Sequence, residues 1–96
     1  MAEELSLFLE YWNQWLDDLM AVGVAYPGAQ LRQRIYLWVD QARLLGFNQD
    51  AELATTLLDS EQTAQLRASA FATLLVRHEL LNTLNKLHNI EQALEL

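Results

Sequence analysis

A chain of 96 residues, 52% of them hydrophobic, holds enough apolar material for one modest core. This composition argues against global disorder, and we expect a single domain over residues 1–96. The net charge of −7 disfavours binding to a phosphate backbone, and the absence of cysteine excludes disulfides, thiol nucleophiles and thiolate metal sites. One proline and three glycines are too few for the many turns of an all-β domain. The composition therefore predicts an all-α fold, a small bundle of about four helices.

The first predicted helix covers about residues 3–22, where apolar residues recur at steps of three and four. Trp12 and Trp15 lie at the centre of this apolar face, and we expect both in the core. Gly23 is expected to end the helix, because glycine tolerates the left-handed conformation that is common at a helix C-terminus.

Two shorter helices are predicted next, over about residues 29–45 and 49–58. Both carry apolar residues at helical spacing, and Gly46 ends the first of them. Asn48 is the predicted N-cap of the third helix, because an asparagine side chain accepts a backbone hydrogen bond at a helix start.

A long C-terminal helix is predicted over about residues 61–94, with Asp59 or Ser60 as its N-cap. The segment has no glycine or proline, and a continuous helix of this length would measure about 50 Å. Its apolar positions drift around the surface, which predicts either a break near residues 88–89 or one helix with two apolar surfaces. The early group is Leu66, Phe71, Leu74, Leu75 and His78, and the later one is Leu80, Leu84, Leu87 and Leu94, flanked by Leu81 and Ile90.

The location of the protein is predicted from segments that the sequence lacks. No apolar run approaches the roughly 20 residues that span a bilayer, and the first residues carry no basic region typical of a signal peptide. The absence of cysteine suits a reducing compartment. We therefore expect a cytoplasmic protein that does not enter a membrane.

No catalytic or cofactor-binding constellation is found in the sequence. His78 and Glu79 begin like a zinc-protease motif, but Asn82 occupies the position of the second histidine. His88 lies about 80° around the helix and about 15 Å along it from His78, so the two histidines cannot chelate one ion. The chain also has no glycine-rich phosphate loop and no nucleophile elbow. We therefore expect a protein that is not an enzyme and binds no metal or cofactor.

The favoured hypothesis is a protein–protein interaction module, adaptor or regulator that self-associates as a homodimer. The long helix carries more apolar surface than the other helices are expected to cover, and exposed apolar surface typically marks an interface. Aromatic residues beside the core stripes are also frequent interface anchors. The predicted interface residues are Tyr11, Tyr36, Leu80, Leu84, Leu87 and Leu94.

Three alternatives stay open. Residues 52–67 loosely match a helix-turn-helix motif, with Arg67 and Arg77 available to contact phosphates. The small number of basic residues, six against 13 acidic ones, argues against binding to nucleic acid. The acidic stretches 1–28 and 48–61 suggest a mimic of DNA that occupies a basic groove of another protein. Finally, a small molecule would bind in a pocket among Trp12, Trp15 and Trp38.

Overall fold

The computed structural model describes residues 2–24 and 26–94, most of which lie in α-helices. No strand occurs in these ranges, so the predicted all-α bundle with a long last helix is confirmed. The bounds of the first three helices agree with the predicted ones to within about one residue. The helices are α1 (Ala2–Val22), α2 (Ala29–Leu44), α3 (Asn48–Leu58) and α4 (Ala64–Leu94).

Each helix runs antiparallel to the next, and α4 returns to pack along α1, so the chain forms an up-down-up-down bundle. The bundle is 51 Å long and measures 22 Å by 21 Å across. Polar contacts join every pair of neighbouring helices. These contacts link Asp18 with Arg34, Arg32 with Leu58, Leu57 with Arg67, and Leu9 with His78.

Aromatic rings from α1 and α2 dominate the core. Trp12 and Trp15 are 0% and 1% exposed, which confirms their predicted burial. Phe8 stacks on Trp38 with 5.0 Å between ring centroids. Small and aliphatic residues of the other two helices close the core from the opposite side. They are Ala51, Ala54, Leu57, Leu58, Ala70 and Leu74.

Glycine ends both α1 and α2, as predicted. Gly23 and Gly46 each have a φ of +91°, in the region that side chains other than glycine rarely adopt. After α2, the Phe47 N–H donates to the Ala42 carbonyl at 2.8 Å, and the Gly46 N–H donates to the Arg43 carbonyl at 3.2 Å. This Schellman pattern satisfies the last carbonyls of α2 and turns the chain towards α3.

The start of α3 differs from the prediction by one residue. The Phe47 carbonyl already accepts the Ala51 N–H at 3.0 Å, so Asn48 is the first helical residue. The prediction that Asn48 is the N-cap is therefore wrong. Phe47 occupies that position without a side-chain hydrogen bond, because the preceding Schellman turn sets where the new helix begins.

The start of α4 also differs, at Ala64 rather than at residue 61. Asp59 Oδ1 accepts the Glu61 N–H at 2.9 Å, which closes a turn inside the linker instead of capping the helix. Thr63 Oγ1 accepts the Leu66 N–H at 3.1 Å, and Thr63 is the N-cap. The prediction of Asp59 or Ser60 as the cap is therefore wrong.

Replacement of Thr63 by alanine is expected to lower the free energy of unfolding by about 1 kcal/mol, because the Leu66 N–H loses its acceptor. Thr63→Ser keeps the hydroxyl and should retain most of the stability. Ser60→Ala, at one of the two positions that the sequence predicts as the cap, should change stability by less than about 0.5 kcal/mol. Urea denaturation of the three variants measures these differences, and equal losses in Ser60→Ala and Thr63→Ala would contradict the assignment.

Between Ala64 and Leu94, α4 is one continuous helix of about 46 Å, with no break at residues 88–89. Of the two predicted explanations for the apolar drift, the structure therefore favours one helix with two surfaces. The second half of α4 packs along the start of α1, where Asn85 Nδ2 donates to Ser6 Oγ at 3.1 Å.

Candidate protein-interaction site on the fourth helix

One face of α4, the inner face, packs into the bundle. Ala70 and Leu74 are buried, and Leu81 is half-buried against the core. His78 continues the same face, with its Nε2 3.0 Å from the Leu9 carbonyl oxygen. The inner face therefore accounts for the apolar residues that hold α4 on α1 and α3.

The opposite side of α4, which we call the outer face, carries a seven-residue repeat. At about 100° per residue, its positions lie across the helix from Leu74 and Leu81. One series of the repeat is Leu66, Thr73, Leu80, Leu87 and Leu94, and the second, three residues further along, is Ser69, Val76, Thr83 and Ile90. All of these residues are exposed. The outer face is thus a mainly aliphatic stripe that runs the length of α4, and none of the described residues covers it.

The predicted interface residues on α4 all lie on or beside this stripe. Leu80, Leu87 and Leu94 are members of the repeat, and Leu84 flanks it. Their exposed fractions range from 52% to 81%. Large leucines at this exposure leave apolar surface in water, which is the usual mark of a contact surface.

The drift of the apolar pattern has a geometric cause. A straight α-helix turns by about 20° per heptad relative to a seven-residue repeat, so the outer stripe migrates slowly around α4. Leu66, which the sequence groups with the inward-facing Leu74, is 52% exposed and begins this stripe. Sequence reasoning missed Leu66 and Val76 as surface residues. The seven-residue spacing from Leu66 to Leu94 is the signal that identifies them.

Tyr11 and Tyr36, the other predicted interface residues, lie on different sides of the bundle. Tyr11 lines a groove of about 310 Å³ between α1 and α2. Tyr36 lies under the guanidinium of Arg32, which is 6.0 Å from the ring centroid and also donates to the Leu58 carbonyl of α3. Within the described residues α2, which carries Tyr36, does not contact α4, and Tyr11 lies on the side of α1 that faces α2, so neither tyrosine adjoins the outer face.

Trp12 and Trp15 both pack against Trp38. The ring centroid of Trp38 lies 4.9 Å from that of Trp12 and 5.2 Å from that of Trp15. Their buried indole N–H groups find no hydrogen-bond acceptor in the described part of the chain. Trp15 and Trp38 also border the groove that contains Tyr11. The other lining residues are Phe8, Gln14, Arg34, Leu37 and Gln41.

Arg77, which the nucleic-acid hypothesis assigns to a phosphate, is engaged inside the bundle. Its Nε and Nη2 donate to the two oxygens of Asp50, the second at 3.0 Å, and Asp50 is fully buried. These hydrogen bonds raise the pKa of Arg77 above its ordinary value, although burial lowers it, so the guanidinium stays charged at physiological pH. Arg67 is engaged in the same way, since it donates to the carbonyls of Leu57 and Val24 at 2.9 Å each.

The remaining polar groups form no metal centre in the described ranges. There, no group of three or more histidine, aspartate and glutamate side chains is placed to hold an ion. His78 faces α1, whereas His88 borders a second groove of about 390 Å³ beside Glu4 and Phe47. None of the described helices is both long and apolar enough to cross a bilayer.

No protein-family model, no curated protein and no solved structure matches this chain significantly, so its function has to be inferred from its own geometry.

Proposed function

We propose that the protein is a non-catalytic interaction module that forms a homodimer through the outer face of α4. The exposed aliphatic repeat on that face carries the proposal. A stripe of leucine, valine and isoleucine along about 46 Å of helix stabilises a folded chain only when something covers it. The same stripe contains or adjoins Leu80, Leu84, Leu87 and Leu94, the interface residues predicted on this helix.

The distribution of charge favours α4 over the acidic helices α1 and α3 as the contact between two copies. The chain has 13 acidic and six basic residues, but on α4 the acidic residues are Glu79 and Glu91, against Arg67, Arg77 and Lys86. The acidic excess therefore belongs to the rest of the chain. Two copies that meet through α4 avoid the repulsion that a contact through the acidic helices α1 or α3 would create.

The alternatives have weaker support. Arg67 and Arg77 are bound to groups within the bundle, and Asp50 is buried, so neither phosphate binding nor mimicry of DNA can use them freely. The groove beside Tyr11 has room for a small ligand and has polar lining residues in Gln14, Arg34 and Gln41, but Arg34 is already paired with Asp18. The lack of cysteine suits a cytoplasmic location for the dimer.

Sedimentation equilibrium at micromolar concentration tests the proposal. The wild-type chain, of 11.0 kDa, is expected to sediment with twice that mass. Leu80→Glu should raise the dissociation constant of the dimer at least about tenfold, because two unpaired carboxylates would enter an apolar contact. Far-ultraviolet circular dichroism checks that the variant keeps its helices.

Met20→Glu is the matched control. Met20 of α1 is 56% exposed and Leu80 is 55% exposed, so the two substitutions add the same charge at equally accessible apolar sites. The control should sediment like the wild type. A monomeric wild type, or equal weakening by the two substitutions, would overturn the proposal.

A further inference from the structure

We propose that the two copies of α4 pair antiparallel, with Leu80 of one copy opposite Thr83 of the other. This inference rests on the proposed homodimer and adds its orientation and register. It follows from the order of large and small residues on the outer face and from the charges beside it.

The repeat on the outer face matches the geometry of a two-helix coiled coil. Positions three and four residues apart alternate along such a seam, and each side chain enters a gap of the facing helix. The drift of about 20° per heptad is removed when two helices wind around each other with a left-handed supercoil. Because α4 is continuous from Ala64 to Leu94, the stripe from Ser69 to Leu94 lies on one unbroken helix and is available to the same segment of the partner.

An antiparallel pair places one series of the repeat opposite the other. With Leu80 across from Thr83, every small polar residue of the stripe faces a large aliphatic one. The other layers pair Thr73 with Ile90, Leu87 with Val76, and Ser69 with Leu94.

A parallel pair would instead place each residue opposite itself. Thr73, Thr83 and Ser69 would then face their own copies, and these layers would contain short polar side chains with unfilled space between them. Unfilled space forfeits dispersion contacts, since protein interiors are packed as densely as organic crystals. Packing therefore selects the antiparallel orientation.

The charges that flank the stripe are complementary in this register. Glu79 of one copy faces Lys86 of the other, and the twofold axis repeats the pair one heptad further along the same edge of the seam. Both residues are exposed beside the stripe and form no ion pair among the described residues. In a parallel pair, Lys86 of one copy could instead approach Glu91 of the other, so these charges do not distinguish the two orientations. Charge therefore supports a second copy of α4 as the partner, and packing determines that the two helices are antiparallel.

Cysteine cross-linking tests the register cleanly, because the chain has no cysteine of its own. We use Thr73→Cys and Ile90→Cys, two positions that are exposed in the single chain. In the proposed dimer, Cys at 73 lies opposite position 90, and like positions are about 25 Å apart. A disulfide needs Cα atoms within about 7 Å, so neither variant should cross-link alone, whereas a mixture should give the mixed disulfide.

Mass spectrometry under non-reducing conditions identifies the product, since the two variants differ in mass. Leu44→Cys, at an 87% exposed position of α2, reports the background from random collision. Cross-linking of each variant with itself would establish parallel helices and overturn the register. Dimers without any disulfide above background would place the contact on another face and overturn it as well.

Sedimentation of the same variants under reducing conditions separates the two proposals. Monomers there would remove the homodimer itself, and with it the register. Dimers with the wrong disulfide pattern would leave the proposed function standing and remove only the antiparallel pairing.

Discussion

Replacement of Arg77 by methionine is expected to lower the free energy of unfolding by about 3 kcal/mol. Asp50 is fully buried, and Arg77 is its hydrogen-bond partner among the described residues. Methionine retains much of the apolar stem but leaves a carboxylate without a cation or water around it. We expect the lower end of the range for buried ion pairs because 33% of the Arg77 side chain is exposed. Urea denaturation at one fixed protein concentration measures the loss, since the unfolding of a dimer depends on concentration.

Arg34→Met is the control for this prediction. Arg34 forms an ion pair of 2.8 Å with Asp18 on the surface, where both side chains are about half exposed. Its loss should cost less than about 1 kcal/mol, because water replaces the partner. The double variant Asp50→Leu/Arg77→Met should recover most of the stability lost in Arg77→Met, since it removes the stranded charge. Similar losses in the two single variants would contradict the role given to Asp50.

Trp12→Ala is the second substitution with a large expected effect, a loss of about 3–5 kcal/mol. The Trp12 ring lies at the meeting point of three helices, with its centroid 5.9 Å from that of Phe8, 4.9 Å from that of Trp38 and 5.4 Å from that of His78. Alanine would leave a cavity that the surrounding rings fill only in part, and both the transfer and the cavity contributions destabilise the fold. Thermal or urea unfolding followed by circular dichroism measures the change.

Tyr11→Ala, one residue away, provides the contrast. Tyr11 is 54% exposed, so its truncation should cost much less than that of Trp12. Trp12→Phe should give an intermediate loss, because it keeps an aromatic ring and removes an indole N–H that has no acceptor among the described residues. Equal losses in Tyr11→Ala and Trp12→Ala would show that the Trp12 side chain does not organise the core.

The residues substituted to test stability lie apart from those substituted to test the dimer. Arg77 and Trp12 act through the inner side of the bundle, whereas Leu80, Thr73 and Ile90 lie on the outer face. A change at the outer face should alter the mass of the particle and leave the helix content intact. A change at Trp12 should lower the stability of the bundle at any oligomeric state.

The helices, their approximate ends and the main core residues follow from the sequence alone. Apolar spacing of three and four residues identifies α1 to α3, because that spacing matches one face of a helix. Gly23 and Gly46 mark two helix ends, because a positive φ suits glycine far better than other residues. Trp12 and Trp15 are recognised as core residues because they occupy the middle of an amphipathic face. All of these features depend on neighbours a few residues away.

The sites of polar pairing and the covered face of α4 depend on the tertiary structure. Asp50 looks like a surface acid of a first helical turn, and only packing brings it to Arg77, 27 residues away in the sequence. Asp59, Ser60 and Thr63 all have side chains that can cap a helix. In the folded chain Asp59 accepts a hydrogen bond inside the linker, and Thr63 caps α4. The two apolar stripes of α4 have similar composition, and α1 and α3 select one of them as the inner face. The reason is physical: periodicity shows that a helix has an apolar side, but which side is buried depends on residues that are remote in the chain.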